Sequence, residues 1–351
     1  MTTGEVTARA PAGTPAPGSD YARLSRQVRL AGLMDRRTGN YAWRITITLL
    51  LLAAGWAAFL LIGDSWWQLA VAGYLAIMFT QLGFLGHDAG HRQICTSRRL
   101  SYLLGIMLGN LGIGLSFGWW VSKHNRHHAN PNTEDADPDI MMSALAMTSS
   151  QASASRGLAA MVYRCQAYLF FPMLLGEAFS VHVASLRAVA SRGRRTGRQQ
   201  AAEVILLGLH IAGYLAVVFY VLSPLRAVVF IVVQQGLFGV YLGASFAPNH
   251  KGMPILRAED EQDFLRRQVL TSRNVRGGWF TDLALGGLNY QIEHHLFPSM
   301  PRPSLRRSQP LISAFCREQG LPYCEASLTG SYAQALRHLN AVGKQAVAPS
   351  S

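Results

Sequence analysis

The sequence predicts an all-α integral membrane protein, with four transmembrane helices in two hairpins, additional re-entrant or interfacial helices, and a cytoplasmic cap rich in histidine. Three observations predict it. Of the 351 residues, 50% are hydrophobic and 15% charged, whereas a soluble domain carries about 25% charged residues. The apolar residues gather in runs at 46–62, 67–86, 201–222 and 225–246, each near the ~20 residues that cross a hydrocarbon core of about 30 Å. The basic residues fall on one side of those runs.

Residues 1–20 are rich in Ala, Pro, Gly and Thr and lack a continuous apolar stretch, so they read as a disordered tail and not as a secretory signal. Arg23, Arg26, Arg29, Arg36, Arg37 and Arg44 precede the first run, while the Gly63-Asp64-Ser65 link to the second carries no Lys or Arg. Arg187, Arg192, Arg194, Arg195 and Arg198 precede the third run, which meets the fourth at Ser223-Pro224. The positive-inside rule therefore predicts a multi-pass protein of the cell membrane with both termini and the central segment in the cytoplasm. The net charge of +13, from 32 Lys+Arg against 19 Asp+Glu, is accounted for by topology and anionic headgroups; no nucleic-acid partner is expected.

Two further apolar stretches do not read as simple spans. Residues 102–120 hold Gly105, Gly109, Asn110, Gly112, Gly114 and Gly118, and one crossing there would put its ends on opposite sides, so a re-entrant or interfacial segment is expected. Residues 161–183 include Arg164, Glu177 and His182, which fits an amphipathic helix at the membrane surface. The membrane domain is placed at 21–305, its cap at 87–200 and 247–305, and a cytoplasmic C-terminal tail at 306–351. Cys95, Cys165, Cys316 and Cys324 are far apart in the chain, without the spacing of a disulfide framework or an iron–sulfur site.

The 11 histidines carry the functional signal. His87 and His91 stand in His87-Asp88-Ala89-Gly90-His91, just after the second run; His124, His127 and His128 stand in His124-Asn125-Arg126-His127-His128; His294 and His295 stand in Gln291-Ile292-Glu293-His294-His295. On a helix, spacings of three and four turn side chains to one face. His250 follows Asn249 beyond the fourth run. By topology all eight reach the cytoplasmic side. Eight imidazoles are too many for one ion, which takes three or four protein ligands in zinc sites, and divide naturally between two. Imidazole suits iron, copper, nickel and zinc alike. His182 and His210, each alone on an apolar helix, are expected to pack or hydrogen-bond, and His338 to be solvated.

With these boxes, H-x-x-x-H, H-x-x-H-H and Q-x-x-H-H, in order and followed through to about Pro303, the chain resembles the membrane fatty acid desaturases. That resemblance implies a mushroom-shaped helical domain whose cytoplasmic cap holds two iron ions on histidine. It also implies O2 as co-substrate, an acyl-CoA or lipid-linked acyl chain as substrate, and removal of two hydrogens from adjacent carbons. Gln291, where many relatives carry His, resembles the front-end branch and is a candidate ligand. Asn249 is a candidate to hold a metal-bound water, or else simply ends a helix. Asp88, Asp137, Asp139 and Glu293 are candidates to orient ring N–H groups, or else cap helices and turns.

Unactivated C–H bonds yield to an oxygen-activating metal and not to acid–base side chains, and the protein contributes placement and exclusion of side reactions. Two electrons per turnover are expected from a separate carrier such as a ferredoxin with its reductase. The chain shows no G-x-G-x-x-G motif, cysteine array or H-P-G-G haem segment, and residues 192–198 and 302–307 offer basic docking surface. A hydroxylase or ketolase on the same scaffold is the nearest alternative; a metal transporter fits less well, because transport sites lie near the bilayer midplane. Trp119, Trp120, Trp279, Phe280 and Tyr290 flank the boxes as tunnel-lining or interface-anchoring residues.

Overall fold

The computed structural model describes residues 19–141, 144–191, 197–257 and 259–346. Residues 1–18 of the expected tail, and the basic residues Arg192, Arg194 and Arg195, lie outside the described residues. The chain begins with α1 (Asp20–Leu30), whose first turn is capped by the Ser19 hydroxyl accepting from Ala22 N–H. Two long helices follow, α2 (Thr38–Ile62) and α3 (Gln68–Gly90). Next comes a short α4 (Arg98–Ile106) that runs into a π-helical turn (Met107–Gly112), and then α5 (Phe117–Ala129) and α6 (Ser149–Ala154). The middle of the chain is α7 (Gly157–Leu174), α8 (Glu177–Ala190), α9 (Gly197–Val221) and α10 (Pro224–His250). Beyond it lie α11 (Phe264–Leu270), β1 (Asn274–Arg276), α12 (Trp279–Ala284), α13 (Gln291–Leu296), α14 (Arg302–Glu318), β2 (Glu325–Ser327) and α15 (Leu328–Gly343). The two strands pair in parallel, Val275 opposite Ala326.

Among the described residues, α2, α3, α9 and α10 are long and apolar enough to cross a membrane, with up to six spans if each of two bent pairs is counted as one. The helices outrun their apolar runs: α3 extends to Gly90, so His87 lies in its last turn and not beyond it. Of the apolar window of α3, 61% is buried inside the protein, against 17% for α2 and α9. Phe59, Leu75, Phe79, Phe230 and Phe238 pack the core between α2, α3 and α10. The outward faces of α2 and α9 carry Leu50, Leu61, Leu209 and Tyr220 exposed, as helices facing lipid would.

The stretch at 102–120 is broken where α4 with its π turn meets α5 at 113°. The intervening loop is held by Glu203 of α9, which accepts from Ser116 Oγ (2.6 Å), Tyr102 Oη (3.2 Å) and Gly118 N–H (3.3 Å). The single surface helix expected over 161–183 is instead two: α7 and α8 meet at 78°, beyond Pro172, whose ring cannot supply the backbone N–H of a continuous helix. The bend lies directly on α10. A Cβ at Gly239 would stand 2.5 Å from the Leu174 carbonyl oxygen and 2.8 Å from the Ala178 nitrogen, so only glycine permits this approach.

Residues after 305 are not a separate tail. Leu305, Ile312 and Phe315 of α14 are buried with Leu24 and Val28 of α1, Leu265 and Val269 of α11, and Ile292 and Leu296 of α13. Leu339 of α15 packs with Phe170, Leu174 and Ala247. Likewise His338 is not solvated: it is half-buried and its Nε2 bonds the Met147 carbonyl at 2.9 Å. These helices wall in the ends of α3, α5 and α10, where the histidines converge.

Candidate metal centre

Each histidine box is a helix end. His87 and His91 close α3, His124, His127 and His128 fill the last two turns of α5, His250 ends α10, and Gln291 to His295 make up most of the one-and-a-half-turn α13. The tertiary structure brings the eight rings together and sorts them. His87, His91, His124 and His294 offer nitrogens all within 4.8 Å of one another, and His127, His250 and His295 form a second such group. His128 stands between the two: its Nε2 is 3.1 Å from that of His124, and its ring stacks on His295 at 4.1 Å between centroids. Sequence neighbours therefore part company. His294 and His295 go to different groups because successive helical residues point about 100° apart, and His124 and His127, three residues apart, also divide between the two.

The chemistry of these nitrogens fits a cation between them. His127 Nδ1 donates to Asp137 (2.9 Å), His250 Nδ1 to the Thr271 carbonyl (2.9 Å) and His295 Nδ1 to Gln268 Oε1 (2.9 Å). An imidazole in its neutral, metal-ligating form carries one N–H, so with Nδ1 donating, the lone pair of each of the three rings sits on Nε2. Those Nε2 atoms face each other at 3.3 Å (His127–His250) and 3.1 Å (His250–His295). Lone pairs so opposed repel unless a positive ion lies among them. In the first group, His294 is fully buried with no hydrogen-bond partner for either nitrogen, and His87 Nε2 is equally bare. Such groups are costly when buried unpaired and are expected of metal ligands. Burial also holds His91, His294 and His295 well below the usual imidazole range, which keeps them neutral as ligation requires.

The candidate orienting carboxylates behave differently from one another. Asp137 is fully buried, accepts from His127, and also takes the backbone N–H groups of Asn132 (2.8 Å) and Asp139 (2.8 Å). Asp88 lies 3.3 Å from His87 Nδ1. Asp139 is 3.5 Å from His127 Nδ1 but is spent mainly on Lys123 (2.6 Å); burial would raise its carboxyl, yet His127 and Lys123 hold it well below the usual range. Glu293 orients no ring. It accepts from Tyr323 Oη (2.5 Å) and Asn274 Nδ2 (2.8 Å), and burial pushes its carboxyl up to about 7.

Gln291 does reach the second group, its amide nitrogen 2.8 Å from His250 Nε2 and its amide oxygen accepting from Asn249 Nδ2 at 3.2 Å. Asn249 does not end a helix: α10 continues to His250, and the Asn249 side-chain oxygen is buried without a partner. His182 and His210 hydrogen-bond the carbonyls of Ala178 (2.6 Å) and Leu111 (2.8 Å), away from the eight.

Four supporting residues carried no signal in their local sequence. Gln268 joins two boxes, accepting from His295 and donating to the His128 carbonyl (3.0 Å). Asn132 donates to the His250 carbonyl (3.0 Å), and Asn274 accepts from Ile292 N–H (2.9 Å). Arg302, expected on a basic docking surface, is instead buried and ion-pairs Asp88 at 2.6 Å. It also donates to the Phe84 carbonyl (2.9 Å). Only Arg306 and Arg307 of that run are exposed.

A cavity of about 430 Å3 opens beside the rings, with His87, His124, His127 and His250 in its wall. Trp119 and Trp120 line it, whereas Tyr290 is buried elsewhere, and Trp279 and Phe280 are 73% and 67% exposed, as interface anchors would be.

The fatty acid desaturase profile matches residues 64–327. An acyl-lipid (9-3)-desaturase of Physcomitrium patens is 32% identical over 79% of this chain; the match covers 54% of that protein, so the chain spans about half its length. A Delta(6)-fatty-acid desaturase, fat-3, of Caenorhabditis elegans is 31% identical over 91% of this chain and 74% of its own. A Delta(8)-fatty-acid desaturase of Helianthus annuus is 27% identical over 93% and 74%. Convergent imidazoles, the apolar helices α3 and α10 that end in them and these matches lead to one conclusion: the chain belongs to the fatty acid desaturase family.

Proposed function

We propose that this membrane desaturase introduces a C=C bond into an acyl-CoA or lipid-linked acyl chain, using two iron ions held by His87, His91, His124, His127, His128, His250, His294 and His295. The observation that carries the metal assignment is the convergence of the Nε2 atoms of His127, His250 and His295, whose Nδ1 atoms are already hydrogen-bonded. Iron at that place would supply O2-dependent removal of two hydrogens from adjacent methylene carbons; those two hydrogens, together with O2, two external electrons and two protons, leave as two waters. The residues of the chain do the rest. Asp137, the Thr271 carbonyl, Gln268 and Asp88 fix ring tautomers and orientation, the contribution expected of outer partners at a metal site. Gln291 and Asn249, buried at the edge of the second group, supply an amide ligand or hold a water there. Trp120, stacked on His124 at 4.5 Å, and the apolar wall of the cavity exclude bulk water from the reacting carbons.

Relatives named for Delta(6) and Delta(8) positions support a bond placed toward the carboxyl end of the chain. The arginines before α2 and α9 support a cytoplasmic metal centre in a cell membrane. Electrons come from a separate ferredoxin-type carrier with its reductase, drawn to exposed arginines such as Arg306 and Arg307. Turnover with such a donor should fall as salt rises; salt-independent electron transfer would remove the docking site.

The decisive experiment is lipid analysis by mass spectrometry after expression in a host lacking this activity, beside His128→Ala. New unsaturation absent from the variant establishes the reading. Products heavier by one oxygen would make the chain a hydroxylase instead.

A further inference from the structure

Four charged side chains meet inside the cavity beside the metal centre: Lys123, Asp139, Glu177 and Lys251 all line it. Two cations face two anions, so the group offers no net attraction for an anionic head. Its donors are unequally used. Lys123 Nζ is bound to Asp139 at 2.6 Å. Lys251 Nζ makes no ion pair and no hydrogen bond to oxygen among the described residues, and its contact is the weak acceptor Met147 Sδ at 3.7 Å. An ammonium group enclosed without an oxygen partner forgoes a charge-assisted hydrogen bond.

The backbone that carries Lys251 is pinned on several sides. The buried Arg273 guanidinium donates to the carbonyls of Pro248 (2.5 Å) and Lys251 (2.8 Å), and Asn132 donates to the His250 carbonyl. Gly252 follows at φ 81°, where a Cβ would stand 2.9 Å from the Gln334 carbonyl oxygen. Lys251 also directly follows His250, whose Nε2 faces His295 at 3.1 Å. The backbone that bears the spare donor is thus fixed next in sequence to His250, Lys251 lines the cavity that His250 also lines, and Ile113, Leu115, Phe117, Val181 and Leu242 form an apolar wall of the same cavity.

We propose that Lys251 is a substrate-positioning residue: its ammonium donates to the carbonyl oxygen of the acyl ester or thioester and so sets which carbons, counted from that carbonyl, meet the metal centre. This rests on the desaturase reading for its consequence, but the carbonyl contact itself can be tested without turnover. A neutral acceptor suits a charge-balanced pocket, and one hydrogen bond to a charged donor is worth about ten-fold or more in affinity.

The binding test uses purified full-length protein in detergent and displacement of a fluorescent polyene acyl ester by a C18 methyl ester or by the C18 methyl ether that lacks the carbonyl oxygen. Wild-type protein should prefer the ester by about ten-fold, Lys251→Met should bind both alike, and Lys251→Arg should recover the preference. No ester preference in the wild type, or one that survives in Lys251→Met, overturns the proposal whether or not the protein desaturates. In the lipid assay, Lys251→Met with unchanged iron content should raise KM and spread the double bond over several positions. A single wild-type bond position at wild-type KM would equally refute it.

Discussion

Replacing Arg302 by Met tests whether the metal centre is supported from below by a buried ion pair. The guanidinium is 2.6 Å from Asp88 and 2.9 Å from the Phe84 carbonyl, with both side chains about 95% or more enclosed. The substitution leaves Asp88 as a buried carboxylate without its counterion, a loss of ~3–5 kcal/mol, and removes one further hydrogen bond worth about 1 kcal/mol. A total of about 4–6 kcal/mol is a large share of the stability of an ordinary domain. The second consequence concerns the metal. Asp88 is the acceptor facing His87 Nδ1 at 3.3 Å, and Arg302 holds its carboxylate there; complete loss of an outer partner of this kind lowers metal affinity about 10- to 100-fold, which is the upper bound for displacing Asp88.

The assay is denaturant unfolding in detergent beside metal content by mass spectrometry. Arg302→Met should fall on both counts. Asp88→Asn with Arg302→Met should regain most of the stability, since removing both charges leaves no orphan, and part of the metal, since the Asn oxygen can still accept from His87. Wild-type unfolding and wild-type metal content in Arg302→Met would refute the reasoning, because the pair would then contribute to neither.

Other expectations follow from single contacts. Glu203→Ala strips Ser116 Oγ and Gly118 N–H of their carboxylate acceptor and takes one acceptor of two from Tyr102; the loss should cost about 1–3 kcal/mol for a stranded donor, seen as faster proteolysis between α4 and α5, while Glu203→Gln should be mild. Cys316, whose thiol burial and Glu293 push up to about 12, should resist a thiol reagent at pH 8 until the protein is unfolded; prompt labelling of native protein would contradict its place under α13. Gly239→Ala should lower the unfolding midpoint by forcing α10 off the α7–α8 bend, an effect that Gly208→Ala, with open space around its Cβ position, should not share.

What could be read from the chain itself is whatever lies close together in sequence. Apolar runs of membrane length mark α2, α3, α9 and α10, and spacings of three and four mark the boxes, because both follow from the pitch of a single helix. The same local logic correctly set His182 and His210 apart from the eight. It could not assign His127 and His128 between two groups, since that depends on where α10 and α13 stand when they reach α5. Nor could it tell that Glu293, inside a box, turns to Tyr323 and Asn274, or that His338 of the polar C-terminal stretch packs back on Met147. Arg302 is the sharpest case: the run Arg302, Arg306, Arg307 reads as uniformly basic surface, yet the helix turns the first of these inward to Asp88, 214 positions earlier in the chain. Residue type and spacing determined that this protein gathers imidazoles at the ends of α3, α5 and α10 and on α13. Which ring faces which partner, where the buried charges find their counterions, and that Lys251 is left with a donor to spare were decided by tertiary packing, because each is a contact between segments whose separation no local periodicity encodes.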